Sequence, residues 1–351
     1  MIITIILFLL IFGIIVISHE LGHFLLAKKN GIRVVEFAIG MGPALFRFKK
    51  GETTYSVKAF PIGGACIFDG EDGVRSKDGA EDKGSFMSAS VWARISAVVA
   101  GPLFNFLLAF ILALIIVAFT GSDRPVIQEV APGGAAEAAG MQSGDLITKI
   151  NGEKIRLYRQ VNLISALNKG EDLEIEYERG GERDSITLTP AYDSSAGRYY
   201  IGLMGAGEYF KCNALQVFQY SFYELEYWVR ATFKSLGMIF TGQVTKDDMA
   251  GPVGIAQIVG ETYEEVKPYG IGSIIFSMMN IAILLSVNLG ILNLLPVPAL
   301  DGGRLVFLLI EAIRGKPIPP EKEGMVHLAG MAALMILMVF VLFNDISRLF
   351  S

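Results

Sequence analysis

Two histidines and a glutamate interrupt an apolar run near the start of the 351-residue chain. The stretch GIIVISHELGHFLLAKK (13–29) contains the pattern His-Glu-x-x-His at His19, Glu20 and His23. Residues four apart share a helix face, so the two imidazoles can bind one metal ion. Two imidazoles and a carboxylate suit Zn²⁺, with a fourth position left for water. Glu20 could then act as general base towards that water and pass the proton to a leaving amine.

The alternative is that the spacing is accidental and that the polar residues only stabilise a helix contact. Ionisable residues inside a membrane span are costly, however, and they usually have a function. Metal binding is therefore the favoured interpretation of His19 and His23.

A third protein ligand is predicted near the other end of the chain. NLGILNLLPVPALDGGRL (288–305) places Pro296 and Pro298 before Asp301, so a continuous helix is not expected there. Irregular backbone at membrane depth is tolerated where it lines a cavity. Alone, Asp301 would be an ordinary turn residue before two glycines. Together with an incomplete His-Glu-x-x-His site, it is the best candidate for the third ligand.

The composition indicates a membrane protein. Hydrophobic residues make up 52% of the chain and charged residues only 19%, with a mean hydropathy of +0.48. The net charge of −5 gives no indication of nucleic-acid binding. No Lys or Arg precedes Lys28, so the first apolar run is predicted to be a retained helix and not a cleaved signal peptide. Four stretches are long enough to span a bilayer, near 2–27, 92–119, 271–295 and 324–343.

The distribution of Lys and Arg predicts the orientation of these spans. Basic residues are concentrated in 28–50, after the first span, and in 304–322, after the third. Both segments are expected to face the cytosol, with both termini outside. His19 then lies roughly 25 Å from the outer end of its helix, at about 1.5 Å per residue. The metal site is therefore predicted near the cytosolic face. In this topology Cys66 and Cys212 lie on opposite sides and cannot pair.

An insert between the second and third spans is predicted to fold as an α+β module. PVIQEVAPGGAAEAAGMQSGDLITKINGEKI (125–155) is typical of a strand, a turn, a short helix and a second strand. A polar helix near 158–168 and two alternating strands follow. The pattern over 122–204 resembles a PDZ domain, here placed outside the membrane. Another small α+β module is the alternative.

Two other segments flank the apolar spans. Within 205–270, the aromatic-rich stretch 213–243 is predicted to be an amphipathic helix on the outer membrane face, or a solvated helix packed on the insert. On the cytosolic side, YSVKAFPIGGACIF (55–68) alternates as in a β-hairpin. Its edge could bind an unwound substrate segment as an added strand, with Gly63 and Gly64 allowing close approach. Alternatively, the hairpin only ties down the cytosolic loop.

The combined motifs resemble the bacterial site-2 proteases, the RseP/RasP-type intramembrane zinc metalloproteases. They are HELGH in the first span, GPLFN (101–105), the PDZ-like insert, GPVGIAQI (251–258) and NLLPVPALDGG (293–303). The resemblance extends through nearly the whole chain, as far as the closing LFNDISRLF. This chain has one PDZ-like domain where some members have two, and Arg304 where some have histidine.

This resemblance implies roles for individual residues. His19, His23 and Asp301 would bind Zn²⁺, Glu20 would be the catalytic residue, and Asn293 would hold the substrate backbone at the scissile bond. The implied domains are the first half of a membrane metalloprotease core, a PDZ domain, an interfacial segment and the second half of the core. Their boundaries are 1–121, 122–204, 205–270 and 271–351.

Three more residues have less specific interpretations. Gly101 and Asn105 share a helix face. Small-residue helix packing is expected for Gly101, and the role of Asn105 stays open. His327, at the start of the fourth span, is expected to be a surface imidazole and not a ligand.

The predicted function is endopeptidase cleavage of transmembrane segments of single-span proteins in the bacterial inner membrane. The resemblance suggests pre-clipped anti-sigma factors and signal-peptide remnants as substrates. A metal transporter or sensor without peptidase activity is the alternative, although a carrier has no need of Glu20 beside its ligands. A PDZ scaffold anchored in the membrane would leave the metal motif unexplained. The insert could act as a gate against bulky outer domains or as a pocket for a new C-terminus.

Overall fold

The computed structural model describes residues 2–71, 84–193, 198–204, 208–242 and 250–350. The chain divides into two compact units. A membrane unit combines residues 1–112 with 232–351, and an insert unit comprises residues 113–231.

The helices are α1 Ile2–Lys29, α2 Val91–Thr120, α3 Ala135–Ala138, α4 Tyr158–Leu167, α5 Ala214–Phe240, α6 Pro252–Val266, α7 Ile271–Leu294, α8 Asp301–Arg314 and α9 Pro320–Phe350. The strands are β1 Val34–Lys50, β2 Thr53–Phe68, β3 Ser122–Arg124, β4 Glu129–Val130, β5 Leu146–Ile150, β6 Glu153–Lys154, β7 Leu173–Arg179, β8 Glu182–Leu188, β9 Ala191–Asp193, β10 Arg198–Tyr200, β11 Leu203–Met204 and β12 Glu208–Phe210.

Helices α1, α2, α7 and α9 are long and apolar enough to cross a membrane. The structure therefore has the four apolar helices that the hydropathy pattern predicts. An α-helix satisfies its backbone hydrogen bonds internally, as a chain surrounded by lipid requires. The longest of the other helices, α5, is not one of these candidate spans.

Helices α1, α6 and α7 share one apolar core in the membrane unit. Ile15 of α1, Val259 of α6 and Met278 of α7 belong to a single buried cluster. Helix α6 is thus a core element of this unit. The segment 205–270 is therefore divided between the two units, with α6 in one and strand β12 in the other.

A second cluster lies at the C-terminal end of α1. Ala27 of α1, Phe68 of β2, Val98 of α2 and Leu308 of α8 are buried together there. The guanidinium of Arg94 in α2 also donates to the carboxylate of Glu311 in α8, with Nη1 3.1 Å from Oε2. The two halves of the membrane unit, which the insert separates in sequence, are joined at this end.

Strands β1 and β2 form an antiparallel hairpin folded on itself. Residues 36–39 pair with 54–57 and also with 64–67. Within the described residues, 64–67 therefore forms an outer edge of the sheet. The alternation in 55–68 predicts the second strand, whereas the first is not evident from the sequence. Gly40 and Gly42 interrupt β1 with positive φ angles, so its side chains do not alternate regularly.

The insert unit is built on an antiparallel sheet with the strand order β6-β5-β7-β8. Its core includes Ile147, Ile175 and Val161 of α4. Helix α5 is attached to this fold through its charged face, since Arg159 donates to Glu224 at 2.8 Å and Arg156 lies over the ring of Tyr223. The contacts favour packing of the first part of α5 on the insert over a purely interfacial helix.

A buried carboxylate connects α9 to the start of α6. Asp345 is fully buried, and its oxygens accept the backbone N–H groups of Gly251, Val253 and Gly254 at 3.0, 3.0 and 2.9 Å. These N–H groups have no partner within α6, because the first turn of a helix leaves its donors unpaired. The carboxylate thus accepts hydrogen bonds from the backbone N–H groups of the GPVG motif, and these bonds fix one end of α9.

Replacing this carboxylate should destabilise the membrane unit. Asp345→Ala leaves three backbone donors without an acceptor, two of them on buried residues, at about 1–3 kcal/mol for each unsatisfied buried group. We expect a lower apparent melting temperature in detergent, with Asp345→Asn, which keeps one oxygen, as a matched control that loses less. An Asp345→Ala protein that melts with the wild type would contradict this role.

Candidate metal centre

Three ligand atoms converge at the crossing of α1 with the start of α8. His19 Nε2 and His23 Nε2 are 3.1 Å apart. Asp301 Oδ2 lies 3.1 Å from the nitrogen of His19 and 3.4 Å from that of His23. The imidazoles are buried and Asp301 is half-buried. The structure thus brings together the three residues that the sequence predicts as ligands, which are also a group of side chains able to hold a metal ion.

The spacing of these atoms suits a tetrahedral zinc ion. Zinc binds imidazole nitrogen and carboxylate oxygen at about 2.0–2.2 Å, which separates the corners of a tetrahedron by about 3.3–3.6 Å. The separations of 3.1 to 3.4 Å are close to that range. Two imidazoles and one carboxylate supply three corners and leave the fourth for water or substrate.

The charge state of Asp301 also fits metal binding. Burial raises the pKa of this carboxyl, but the neighbouring imidazoles of His19 and His23 outweigh burial and hold the pKa well below its usual range. Asp301 is therefore ionised at neutral pH, which is the state that a metal ligand requires.

Helix α2 fixes the orientation of both imidazoles. His23 Nδ1 lies 2.8 Å from the carbonyl oxygen of Ala97, so an Nδ1–H donates there and leaves the Nε2 lone pair for a metal ion. His19 Nδ1 lies 3.3 Å from the side-chain amide of Asn105. When Nε2 of His19 binds a metal, Nδ1 carries the proton, and the amide oxygen of Asn105 accepts it after a half-turn of the amide.

The fully buried Asn105, whose role the sequence left open, therefore contacts a candidate metal ligand. Its backbone carbonyl accepts the hydroxyl of Ser286 at 2.9 Å, which links α2 to α7. The only sequence signal was its place in GPLFN, on the same helix face as Gly101. A Cβ at Gly101 would lie 2.2 Å from His23 Nε2, so this glycine makes room for a ligand as well as for helix packing.

Asp301 is the first residue of α8, and the first turn of this helix packs against the loop that precedes it. Helix α7 ends at Leu294 and α8 begins at Asp301, which confirms the break expected from the two prolines. A Cβ at Gly302 would lie 2.1 Å from the carbonyl oxygen of Leu295, and one at Gly303 would lie 2.4 Å from that of Val297. The two glycines allow the first turn of α8 to pack on the loop, and this turn directs Asp301 towards α1.

Glu20 lies between the ligands and the hairpin. Its carboxylate interacts electrostatically with His19, His23 and Asp301, and a backbone hydrogen bond joins it to Cys66 of β2. A Cβ at Gly64 would lie 2.7 Å from Glu20 Cγ, so the outer strand of the hairpin lies directly against the glutamate. The sequence did not predict this contact of Cys66 with Glu20.

The other predicted residues occupy different surroundings. Gly63 has φ +80° and lies beside Met41. Asn293 is half-buried in the last turn of α7, and in the described residues no contact joins it to the metal ligands. His327 is not the surface imidazole that was expected. It lines a cavity of about 710 Å³ that also adjoins Asp301 and Arg304, and its Nδ1 accepts the N–H of Ala299 at 3.0 Å.

Comparisons with known proteins show which family the chain resembles. The family described as Peptidase family M50 matches residues 7–337. The zinc metalloprotease RasP of Geobacillus kaustophilus is 37% identical over 424 aligned positions, covering 99% of this chain and 98% of that protein. The regulator of sigma-W protease RasP of Bacillus subtilis is 34% identical and covers 99% of each. These alignments are longer than this chain, so both relatives have residues that it lacks.

A solved structure is similar to a part of the chain. The PDZ domain of an SdrC-like protein from Listeria monocytogenes is 25% identical and covers 22% of this chain and 83% of that one, with a TM-score of 0.20. That score is too low to argue for a shared fold.

The site predicts one zinc ion per chain. Purified protein should contain zinc at about that ratio, and replacing His19, His23 or Asp301 by alanine should abolish both metal content and cleavage, because two ligands do not hold the ion. Elemental analysis of the detergent-purified protein checks this expectation. Full zinc content in Asp301→Ala would remove that residue from the site.

Proposed function

The chain belongs to peptidase family M50, and we propose that, as a zinc metalloendopeptidase of this family, it cleaves transmembrane segments of single-span membrane proteins. The observation that carries the proposal is the convergence of His19 Nε2, His23 Nε2 and Asp301 Oδ2 within 3.4 Å, with Glu20 beside them. Family membership confirms the resemblance inferred from the sequence. The alternative of a metal transporter or sensor receives no support from the comparisons.

Glu20 supplies the proton transfer in this reaction. When bound by His19, His23 and Asp301, zinc acts as a Lewis acid towards water and the scissile carbonyl. The Glu20 carboxylate is placed to accept a proton from the attacking water and to deliver it to the leaving amine. A backbone hydrogen bond from Cys66 helps to orient the carboxylate. A carrier would not require this arrangement.

The outer strand of the hairpin is suited to hold an unwound substrate. Peptide bonds in a transmembrane helix are hydrogen-bonded internally, so the helix must open before water can attack. Residues 64–67 pair with 36–39 on one side, and the other edge can accept an extended segment as an added strand. Gly64 lies against Glu20, so a strand bound there would pass the general base. In this proposal Gly63 and Gly64 permit close approach, and Asn293 holds the substrate backbone.

The orientation follows from the basic segments after the first and third spans, α1 and α7. We place the protein in the bacterial inner membrane with both termini outside and the metal site near the cytosolic face. Its proposed substrates are pre-clipped anti-sigma factors and signal-peptide remnants, as the family resemblance implies. The name of the Bacillus subtilis relative, regulator of sigma-W protease, is in line with the first of these.

The insert is assigned as an extracytoplasmic PDZ domain over 122–204 that acts as a gate against bulky outer domains. Its four-stranded sheet and helix α4 support this assignment. A groove of about 320 Å³ between α4 and residues 199–203 favours the second candidate role, a pocket for a newly exposed C-terminus.

Removing the general base should stop turnover and leave the metal in place. Glu20→Gln keeps the size of the side chain but cannot accept a proton from water, so we expect normal zinc content and a loss of at least about 10²–10⁴-fold in kcat. Cleavage of a membrane-spanning reporter, with and without a zinc chelator, measures the effect. Near-normal turnover would falsify the peptidase mechanism.

Deleting the insert separates the gate from the pocket. Strand β12 pairs with β3, and a Cβ at Gly121 would lie 2.2 Å from the carbonyl oxygen of Phe210. A short linker can therefore join Gly121 to Lys211 and leave no strand without its partner.

A gate predicts that the deleted enzyme cleaves an unclipped substrate and still cleaves the pre-clipped one. A pocket predicts slower cleavage of the pre-clipped substrate and continued resistance of the unclipped one. Time courses with both substrates on intact and deleted enzyme distinguish the two outcomes. Zinc content serves as the control for folding, and unchanged cleavage of both substrates would contradict either role.

A further inference from the structure

The loop that presents Asp301 contains a residue in an uncommon conformation. Ala299 has φ +76°, in the left-handed region that L side chains rarely adopt. Among the described non-glycine residues, only Asn151 shares a positive φ, and asparagine tolerates it better than alanine. Such a conformation persists only where the surroundings hold it.

Helix α9 provides the contacts that hold Ala299. The N–H of Ala299 donates to Nδ1 of His327 over 3.0 Å. One turn further along α9, Gly330 approaches the loop so closely that a Cβ there would lie 2.4 Å from Pro298 Cβ and 2.6 Å from the Pro298 carbonyl oxygen. The turn is therefore fixed both by a hydrogen bond and by direct packing.

The His327 ring is itself oriented for this bond. It packs beside Phe307 of α8, with ring centroids 5.7 Å apart, and its Nε2 faces the carboxylate of Glu323 at 3.8 Å. A neutral imidazole carries one proton. A proton on Nε2, towards the carboxylate, leaves Nδ1 as the acceptor for Ala299.

Helix α9 packs sparsely along the rest of its length. None of the residues in its most apolar 18-residue stretch is buried. Near its opposite end, α9 is also attached through the hydrogen bonds of Asp345 to the start of α6. Among the described contacts, those of His327 and Gly330 join α9 to the loop before Asp301.

We propose that His327 is a positioning residue for the metal ligand Asp301. By accepting the N–H of Ala299, it stabilises the left-handed turn two residues before Asp301. That turn keeps the Asp301 carboxylate within reach of the two imidazoles. The inference rests on the proposed function in taking His19, His23 and Asp301 to bind zinc. In this proposal His327 acts through the turn and not as a metal ligand.

Two amide substitutions of His327 form a matched pair. The side-chain oxygen of Asn takes the position of Nδ1, whereas that of Gln takes the position of Nε2 and cannot reach Ala299. Full-length protein in detergent is titrated with a competing chelator to measure zinc retention, and kcat and KM are measured on a membrane-spanning reporter. H327N should retain most of the zinc affinity and turnover. H327Q and H327L should lose about tenfold or more in zinc affinity, as supporting contacts of metal ligands do.

The same geometry predicts different effects of these substitutions on kcat and on KM. Misplacing Asp301 disturbs the reacting centre and not the strand that binds substrate, so kcat should fall with KM little changed. Ala299→Gly provides an independent test, because glycine adopts a positive φ without help. The double variant A299G/H327L should recover the zinc retention that H327L loses.

Wild-type zinc retention in both H327Q and H327L would overturn the proposal. It would also be overturned if A299G failed to rescue H327L, or if H327N lost as much zinc as H327Q. Zinc retention is read without cleavage. A wild-type protein that holds zinc but cleaves nothing would therefore contradict the proposed function alone and leave the positioning role supported.

Discussion

The proximity of two imidazoles and a carboxylate in apolar surroundings is the constraint on which the membrane unit depends. Charged or polar side chains in such surroundings must be paired, since their desolvation is costly. Here they face one another at 3.1 to 3.4 Å, an arrangement that a divalent cation would stabilise. The outward nitrogens need partners too. Ala97 and Asn105 of α2 provide them. The ligand geometry therefore requires that α1 and α2 cross in one particular arrangement.

Helix packing in lipid must be specific without a hydrophobic driving force, because lipid tails are as apolar as the side chains they replace. The membrane unit uses polar contacts and close backbone approach instead. Ser18 donates to the carbonyl of Phe104 at 3.1 Å, Ser286 to that of Asn105 at 2.9 Å, and Thr232 to the side chain of Asn288 at 2.5 Å. Together with the Arg94–Glu311 pair, these bonds hold α1, α2, α5, α7 and α8 in the register that the metal site needs.

Hydrolysis at such a site requires both water and an extended peptide. The cavity of about 710 Å³ beside Asp301 carries charged residues, among them Glu71, Arg304 and Glu323, so its walls can be hydrated. The hairpin contacts the other side of the reacting centre through Gly64 and Cys66. Glu20 faces the ligands and touches the outer strand. In our proposal, the substrate backbone therefore meets the reacting centre at this side chain.

The sequence by itself determined the features that neighbouring residues encode. The four-residue spacing of His19 and His23 fixes their common helix face, and hydropathy locates the four apolar helices. Two prolines before Asp301 predict the break at which the third ligand stands. Contacts between distant segments were decided only by the tertiary structure. Asn105 lies 86 residues from His19, and His327 lies 28 residues from Ala299; neither partner shows in a periodic pattern. The crossing of α2 over α1, and the approach of α9 to the Pro298 turn, depend on how helices pack, which no local propensity specifies.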